Sequence, residues 1–185
     1  MRCRLGNVSM PSTAFVRNAM RRFRRNRRGS VAVEFAVIAP IFFGLLFAII
    51  ESAMVFFAGQ VLETGVQDSG RLIYTSQNVT EAQFRQDFCN RVGTLFPCPS
   101  LDLCLVVRRY APGTAIDLAD PIDGGGNYVP NCIWEDPKDG YTMVVRAFYP
   151  WPLFVTGLGF NIANVGRGST NSSRLLTATA AFRRQ

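Results

Sequence analysis

The chain has 185 residues, with 20 basic and 13 acidic side chains, a formal charge of +7 and no histidine. The missing imidazole removes the commonest general base and metal ligand, so histidine-based serine and cysteine triads and most zinc arrangements are excluded. The length leaves room for one soluble domain of ordinary size beside a single long apolar segment.

The charge is concentrated at one end. Residues 1–29 contain Arg2, Arg4, Arg17, Arg21, Arg22, Arg24, Arg25, Arg27 and Arg28 and no acid, leaving 11 basic against 13 acidic residues in the remainder. A basic block in front of an apolar run, with only Phe15 and Phe23 as aromatic neighbours, follows the positive-inside rule and not the interleaved pattern of a nucleic-acid surface. Residues 1–29 are therefore expected to form a basic cytoplasmic leader, and no nucleic-acid partner is expected. Met10 and Met20 offer alternative starts. Cys3 has no apolar stretch before it, so a lipid anchor there is not supported.

From Val31 to Val61 the sequence is VAVEFAVIAPIFFGLLFAIIESAMVFFAGQV, uncharged from Phe35 to Ile50. Continued to Ala58 it is long enough to cross a hydrocarbon core of ~30 Å with some tilt. A membrane helix over residues 30–60 is the expectation. The run exceeds the core of a cleavable secretory signal and lacks a closing small-x-small site, so the helix should stay attached to the domain behind it. Glu51 reads as a residue of the membrane interface, and Pro40 as a tolerated kink.

After Gly59, the stretch QVLETGVQDSGRLIYTSQ sets Val61, Leu62, Val66, Leu72 and Ile73 among polar residues, so an amphipathic helix continues despite Gly65 and Gly70. Thr80 followed by Gln83 has the form of a capping box. Ala82, Phe84, Phe88, Val92 and Leu95 then recur at helical spacing, predicting a second helix of about 13 residues from Glu81, stopped by Pro97 and Pro99. Residues 101–110, 141–149 and 173–182 are rich in β-formers and predict an antiparallel sheet. The expected class is α+β, with the second helix packed on a small sheet.

Between the first two strands lies a long loop marked by Asp-Gly, Gly-Gly and proline signals. Its acids, Asp117, Asp120, Asp123, Glu135, Asp136 and Asp139, are expected to be solvent-exposed. Gly124–Gly126 lack the lysine and hydroxyl residue of a phosphate cradle. Residues 150–160 read as a short helix or an apolar loop covering the sheet, and Trp134 and Trp151 as core or interface residues. Asn78-Val-Thr80 and Asn171-Ser-Ser173 match a glycosylation pattern short enough to occur by chance.

Cys89, Cys98, Cys104 and Cys132 all come after the apolar run. An even number of cysteines on one side of a membrane helix implies two disulfides in an oxidising compartment. Four free thiols and a four-thiolate zinc site are the alternatives, and the absence of any CxxC pair counts against zinc. No metal is expected, and four cysteines allow three pairings.

The junction RRNRRGSVAVEF carries basic residues, then Gly29, Ser30, and Glu34 in fifth place from Ser30, ahead of the long apolar helix. This arrangement resembles the prepilin-peptidase site of type IV pilin-like proteins, which implies cleavage between Gly29 and Ser30 and an assembly role for Glu34 and Phe35. Together with Ala39-Pro40, the mid-chain cysteines, and Tyr149–Pro152 ahead of LLTATAAF, it looks like the TadE/TadG-like minor pseudopilins of tight-adherence (Flp) pilus systems. Three features depart from that pattern: Ser30 where many pilins start with an apolar residue, Phe35 where the major Flp pilins usually have tyrosine, and a long leader.

The resemblance implies a pilin-like fold, no enzymatic activity and no cofactor. Its partners would be other pilins and pseudopilins, the prepilin peptidase, the inner-membrane assembly platform and membrane lipid. The localisation would be the bacterial inner membrane, single-pass, with a cytoplasmic N-terminus and residues 61–185 periplasmic or extracellular. A turn after the second helix can bring Cys89 to Cys98, and the resemblance points to the same pair, leaving Cys104 with Cys132. The rival readings are an uncleaved signal-anchored sensor or binding protein, and a membrane-tethered enzyme using the loop carboxylates.

Overall fold

The computed structural model describes residues 29–76, 78–98, 100–154, 161–167 and 172–184. The arginine block, Cys3, Met10, Met20 and Asn171 lie outside the described residues. The chain divides into two compact units, residues 1–45 and 46–185.

Helix α1 runs from Ser30 to Thr75, 46 residues with Pro40 in its interior. Over its first half nearly every side chain is exposed, including Val31, Phe35, Ile41, Phe42 and Leu45. Such a helix satisfies its own backbone hydrogen bonds, apart from the donor that Pro40 lacks, but gains nothing from water around its side chains. Beyond residue 50 the pattern changes. Glu51, Ala58, Leu62, Gly65, Val66, Ser69, Gly70 and Ile73 are buried, the three- and four-residue spacing of one helix face turned to a core.

Helix α2, Glu81–Val92, opens with the expected capping box. Thr80 Oγ1 accepts from the Gln83 N–H at 3.3 Å, and Gln83 Oε1 accepts from the Thr80 N–H at 3.1 Å. The Thr80 hydroxyl of the Asn78-Val-Thr80 pattern is thus employed in the fold. The helix stops at Gly93, whose N–H donates to the Cys89 carbonyl, and buries Phe84, Phe88 and Val92.

Gly65 of α1 faces this stripe. A β-carbon there would overlap Val92 Cγ1 and come within 3.4 Å of Phe88 Cε2. Overpacking of this kind costs about 1–3 kcal/mol, against at most ~1 kcal/mol returned by alanine's better helix propensity. Gly65→Ala is therefore expected to lower the melting temperature, and adding Val92→Ala should cost less than the two changes taken separately. A double-mutant cycle by thermal unfolding measures that coupling.

Strands β1 (Cys104–Tyr110), β2 (Thr142–Pro152) and β3 (Ser173–Arg183) form an antiparallel sheet in the order β1-β2-β3. The expected α+β arrangement is what the structure contains. Leu105, Val107, Met143, Val145, Ala147, Leu176 and Ala178 join the residues of both helices in the main core. On the opposite face Cys104, Val106, Phe148 and Leu175 form a smaller cluster with Ile122, Tyr128, Ile133 and Val165. Burial on both faces explains why β1 begins as an unbroken apolar run and not an alternating one.

The expectation for residues 150–160 needs correction. Pro150, Trp151 and Pro152 continue β2, with Trp151 opposite Arg174 and Pro152 opposite Ser173, and they are not a covering helix or loop. The prolines fit because β1 ends its pairing at Phe148, so one side of this stretch has no strand to receive an N–H. Residues 155–160 lie outside the described residues.

The loop between β1 and β2 is pinned at several points. Arg146, only 8% exposed, donates to the Ala119 carbonyl at 2.8 Å and to Asp120 Oδ1 at 3.0 Å. Val107 N–H donates to the Ile133 carbonyl and Glu135 N–H to the Val107 carbonyl, which lays residues 133–135 along the edge of β1. At the other edge, the β3 N–H groups of Leu175 and Thr179 donate to Asn164 Oδ1 and Glu63 Oε2.

Candidate processing and assembly segment

Gly29 is exposed and immediately precedes α1; a β-carbon there would meet nothing within 4 Å. Ser30 begins the helix. Glu34 lies four residues on, on the same face by helical geometry, and is exposed, with no ion pair among the described residues. Phe35 is exposed beside it, ahead of the apolar surface of residues 37–57. The structure therefore places all four residues of the expected site at the start of one exposed helix. The helix is long and apolar enough to cross a membrane, and none of its most apolar stretch is buried, which separates it from the core helix of a soluble domain.

The cysteine sulfurs lie at disulfide-bonding distance in two pairs, Cys89 with Cys98 and Cys104 with Cys132, with Cα separations of 5.7 and 5.3 Å. These are the pairs given by the turn argument and the resemblance. The first closes the end of α2 onto the turn behind it. The second fastens the long loop to the first residue of β1.

Several residues make contacts beyond those that the sequence suggests. Glu51, expected at a membrane interface, is 7% exposed, and its carboxylate Oε1 accepts the backbone N–H of Phe154. The signal for this was present in the spacing of positions 51, 55, 58 and 62, which extends the core-facing stripe of α1 downward. The loop acids are exposed as expected, apart from the half-buried Glu135, and several of them are also paired. Asp120 pairs with Arg146, Asp139 with Arg184 at 2.7 Å, and Glu135 with Arg109 at 3.9 Å. Asp136 accepts from Trp134 Nε1, and Asp123 caps the turn through Gly125 and Asn127.

Electrostatics at the helix pair are local. Arg91 bonds Asp87 at 2.9 Å and reaches Asp68 of α1 at 3.3 Å. The Arg91 guanidinium holds the Asp87 carboxyl below the usual carboxylate range. In the loop, burial pushes the Tyr128 hydroxyl up to about 12. Beneath the loop a cavity of about 190 Å³ opens on the outer sheet face, lined by Val106, Arg108, Tyr110, Asn131 and Phe148. That is smaller than the ~300–1,000 Å³ of ordinary ligand sites.

Trp134 packs against Phe84, and Trp151 against Phe96 and Tyr149, so both serve packing. Among the described residues, no three His, Cys, Asp or Glu side chains are grouped to hold a metal ion.

These features define the class: an α+β protein whose long, exposed, apolar N-terminal helix is a candidate membrane span and runs on into a small disulfide-paired domain. Within that class, residues 29–71 are similar to the TadE-like protein family, whose model matches that segment, consistent with a protein of the Tad/Flp pilus system. No curated protein and no solved structure matches the chain.

Proposed function

We propose that the chain is a minor pseudopilin of Tad/Flp pilus biogenesis, contributing to surface adhesion. In this reading the arginine block of residues 1–29 stays in the cytoplasm, the helix over residues 30–60 crosses the bacterial inner membrane once, and residues 61–185 are exported. The observation that carries it is the TadE-like match, which begins at Gly29 and covers the exposed helix start with Glu34 and Phe35.

A prepilin peptidase would cut between Gly29 and Ser30. Glycine suits the scissile position because it lets the chain enter a narrow site in extended form. Cleavage removes nine arginines and frees the α-amino group of Ser30 one helical turn from Glu34. A carboxylate beside lipid is penalised when it lacks a partner. Packing against other pilins and pseudopilins on the inner-membrane assembly platform lets Glu34 pair with its own amine or with that of a neighbour. No cofactor enters this scheme.

The test is the N-terminus of the mature protein and the fate of two variants. Wild type should begin at Ser30, Gly29→Phe should remain at full length, and Glu34→Gln should be processed normally yet co-purify poorly with pilus components and reduce surface-pilus number. A wild-type protein that keeps residues 1–29 beside its own peptidase would favour an uncleaved signal-anchored sensor. Unchanged association of Glu34→Gln would remove that residue from assembly.

A further inference from the structure

The domain's hold on α1 begins at Glu51, whose carboxylate accepts the N–H of Phe154 on the segment leaving β2. Phe154 is 84% exposed. Around the same level of the helix Ile49, Ile50, Met54, Phe56 and Phe57 are exposed as well. A lone exposed phenylalanine needs no explanation. One fastened by its own backbone beside an exposed apolar helix does.

Helical arithmetic places this level. The uncharged stretch 35–50 is about 24 Å long at 1.5 Å per residue, short of a hydrocarbon core of ~30 Å. About four further residues must lie inside it, so the outer boundary falls near Met54, beyond Glu51. A carboxylate at that depth is tolerated when it is covered and hydrogen-bonded, and Glu51 is both. Whatever is bonded to Glu51 shares its depth. Tyr149 and Trp151, half-buried at the same end of β2, are the residue types that settle at headgroup level.

We propose that Phe154 is a lipid contact of the folded domain, its ring lying among the upper acyl chains of the outer leaflet beside α1. The proposal rests on the reading of α1 as a membrane span. Lipid is the occupant because the Phe154 backbone is fastened to Glu51, a residue of α1 flanked in the chain by the exposed apolar Ile49, Ile50, Met54, Phe56 and Phe57.

The experiment uses the full chain in vesicles of phosphatidylethanolamine and phosphatidylglycerol containing phospholipids brominated near the headgroup end or near the tail end of the chains. Tryptophan is added at Phe154 or, as a mid-span reporter, at Leu45, and the emission of Trp134 and Trp151 is subtracted using wild type. The Phe154→Trp signal should shift to the blue and lose most of its intensity with headgroup-end bromines, and Leu45→Trp with tail-end bromines. Quenching at Leu45→Trp combined with free access of aqueous iodide to Phe154→Trp would overturn the lipid contact and leave the span intact. Shielding of Phe154→Trp from both iodide and bromine would assign the ring to a neighbouring protein copy and equally overturn it. Absence of bromine quenching at both positions would remove the span, and the proposal with it.

Discussion

Replacing Cys104 and Cys132 together by alanine should lower the unfolding free energy of the oxidised protein by about 3.5 kcal/mol, from the chain entropy released when a 28-residue loop opens. Removing Cys89 and Cys98 should cost less, about 2.5 kcal/mol, because that loop spans 9 residues. The order of the two effects is the sharper test. The larger loop also carries the Arg146–Asp120 pair and the strip along β1, so its release frees contacts as well as chain entropy. Both pairs removed would cost about 6 kcal/mol, comparable with the whole stability of a domain this size, and the chain should fail to accumulate. Urea unfolding monitored by circular dichroism measures each variant, and equal losses would mean that loop length does not set the effect.

Phe88→Ala should cost about 3–5 kcal/mol, the range for deleting a fully buried aromatic ring. Phe88 is fully buried on α2 beneath Gly65 of α1, where backbone and side chain already meet closely and little can move inward to fill the space. Phe154→Ala provides the contrast, since a substitution at an exposed ring should change stability in detergent by no more than ~0.5 kcal/mol. Equal losses at the two positions would contradict the burial described for them.

Much of this arrangement can be read in the chain because the local signals agree with one another. Thr80 and Gln83 announce a helix start that the backbone obeys, and Phe84, Phe88 and Val92 repeat at the spacing that the core uses. Position 29 and the helix start after it are legible for a different reason. The sequence turns abruptly there from arginines to an apolar run, and the described helix begins at that change.

What stayed hidden depends on tertiary neighbours. Pro150 and Pro152 argue against a strand until it is known that β1 stops short and leaves their side of β2 without a receiving carbonyl. Arg146 sits in an apolar strand where charge looks misplaced, and only the returning loop supplies the carbonyl of Ala119 and the carboxylate of Asp120. The spacing of Glu51 with Ala58 and Leu62 marks its face of α1 as core-facing, but the residue that bonds it is hidden because it lies 103 positions away.

The two margins of the sheet bear on how such a chain behaves in company. A strand with a free row of amides and carbonyls is a template for indiscriminate pairing, and crowding many copies into one membrane would multiply the risk. Here residues 133–135 occupy part of one margin, while Glu63 and Asn164 draw on amides of the other. Sticky ladders are thus broken into short pieces, too short to seed a stack. Under the proposed function, contacts between copies would then fall to the apolar helix and not to the sheet margins.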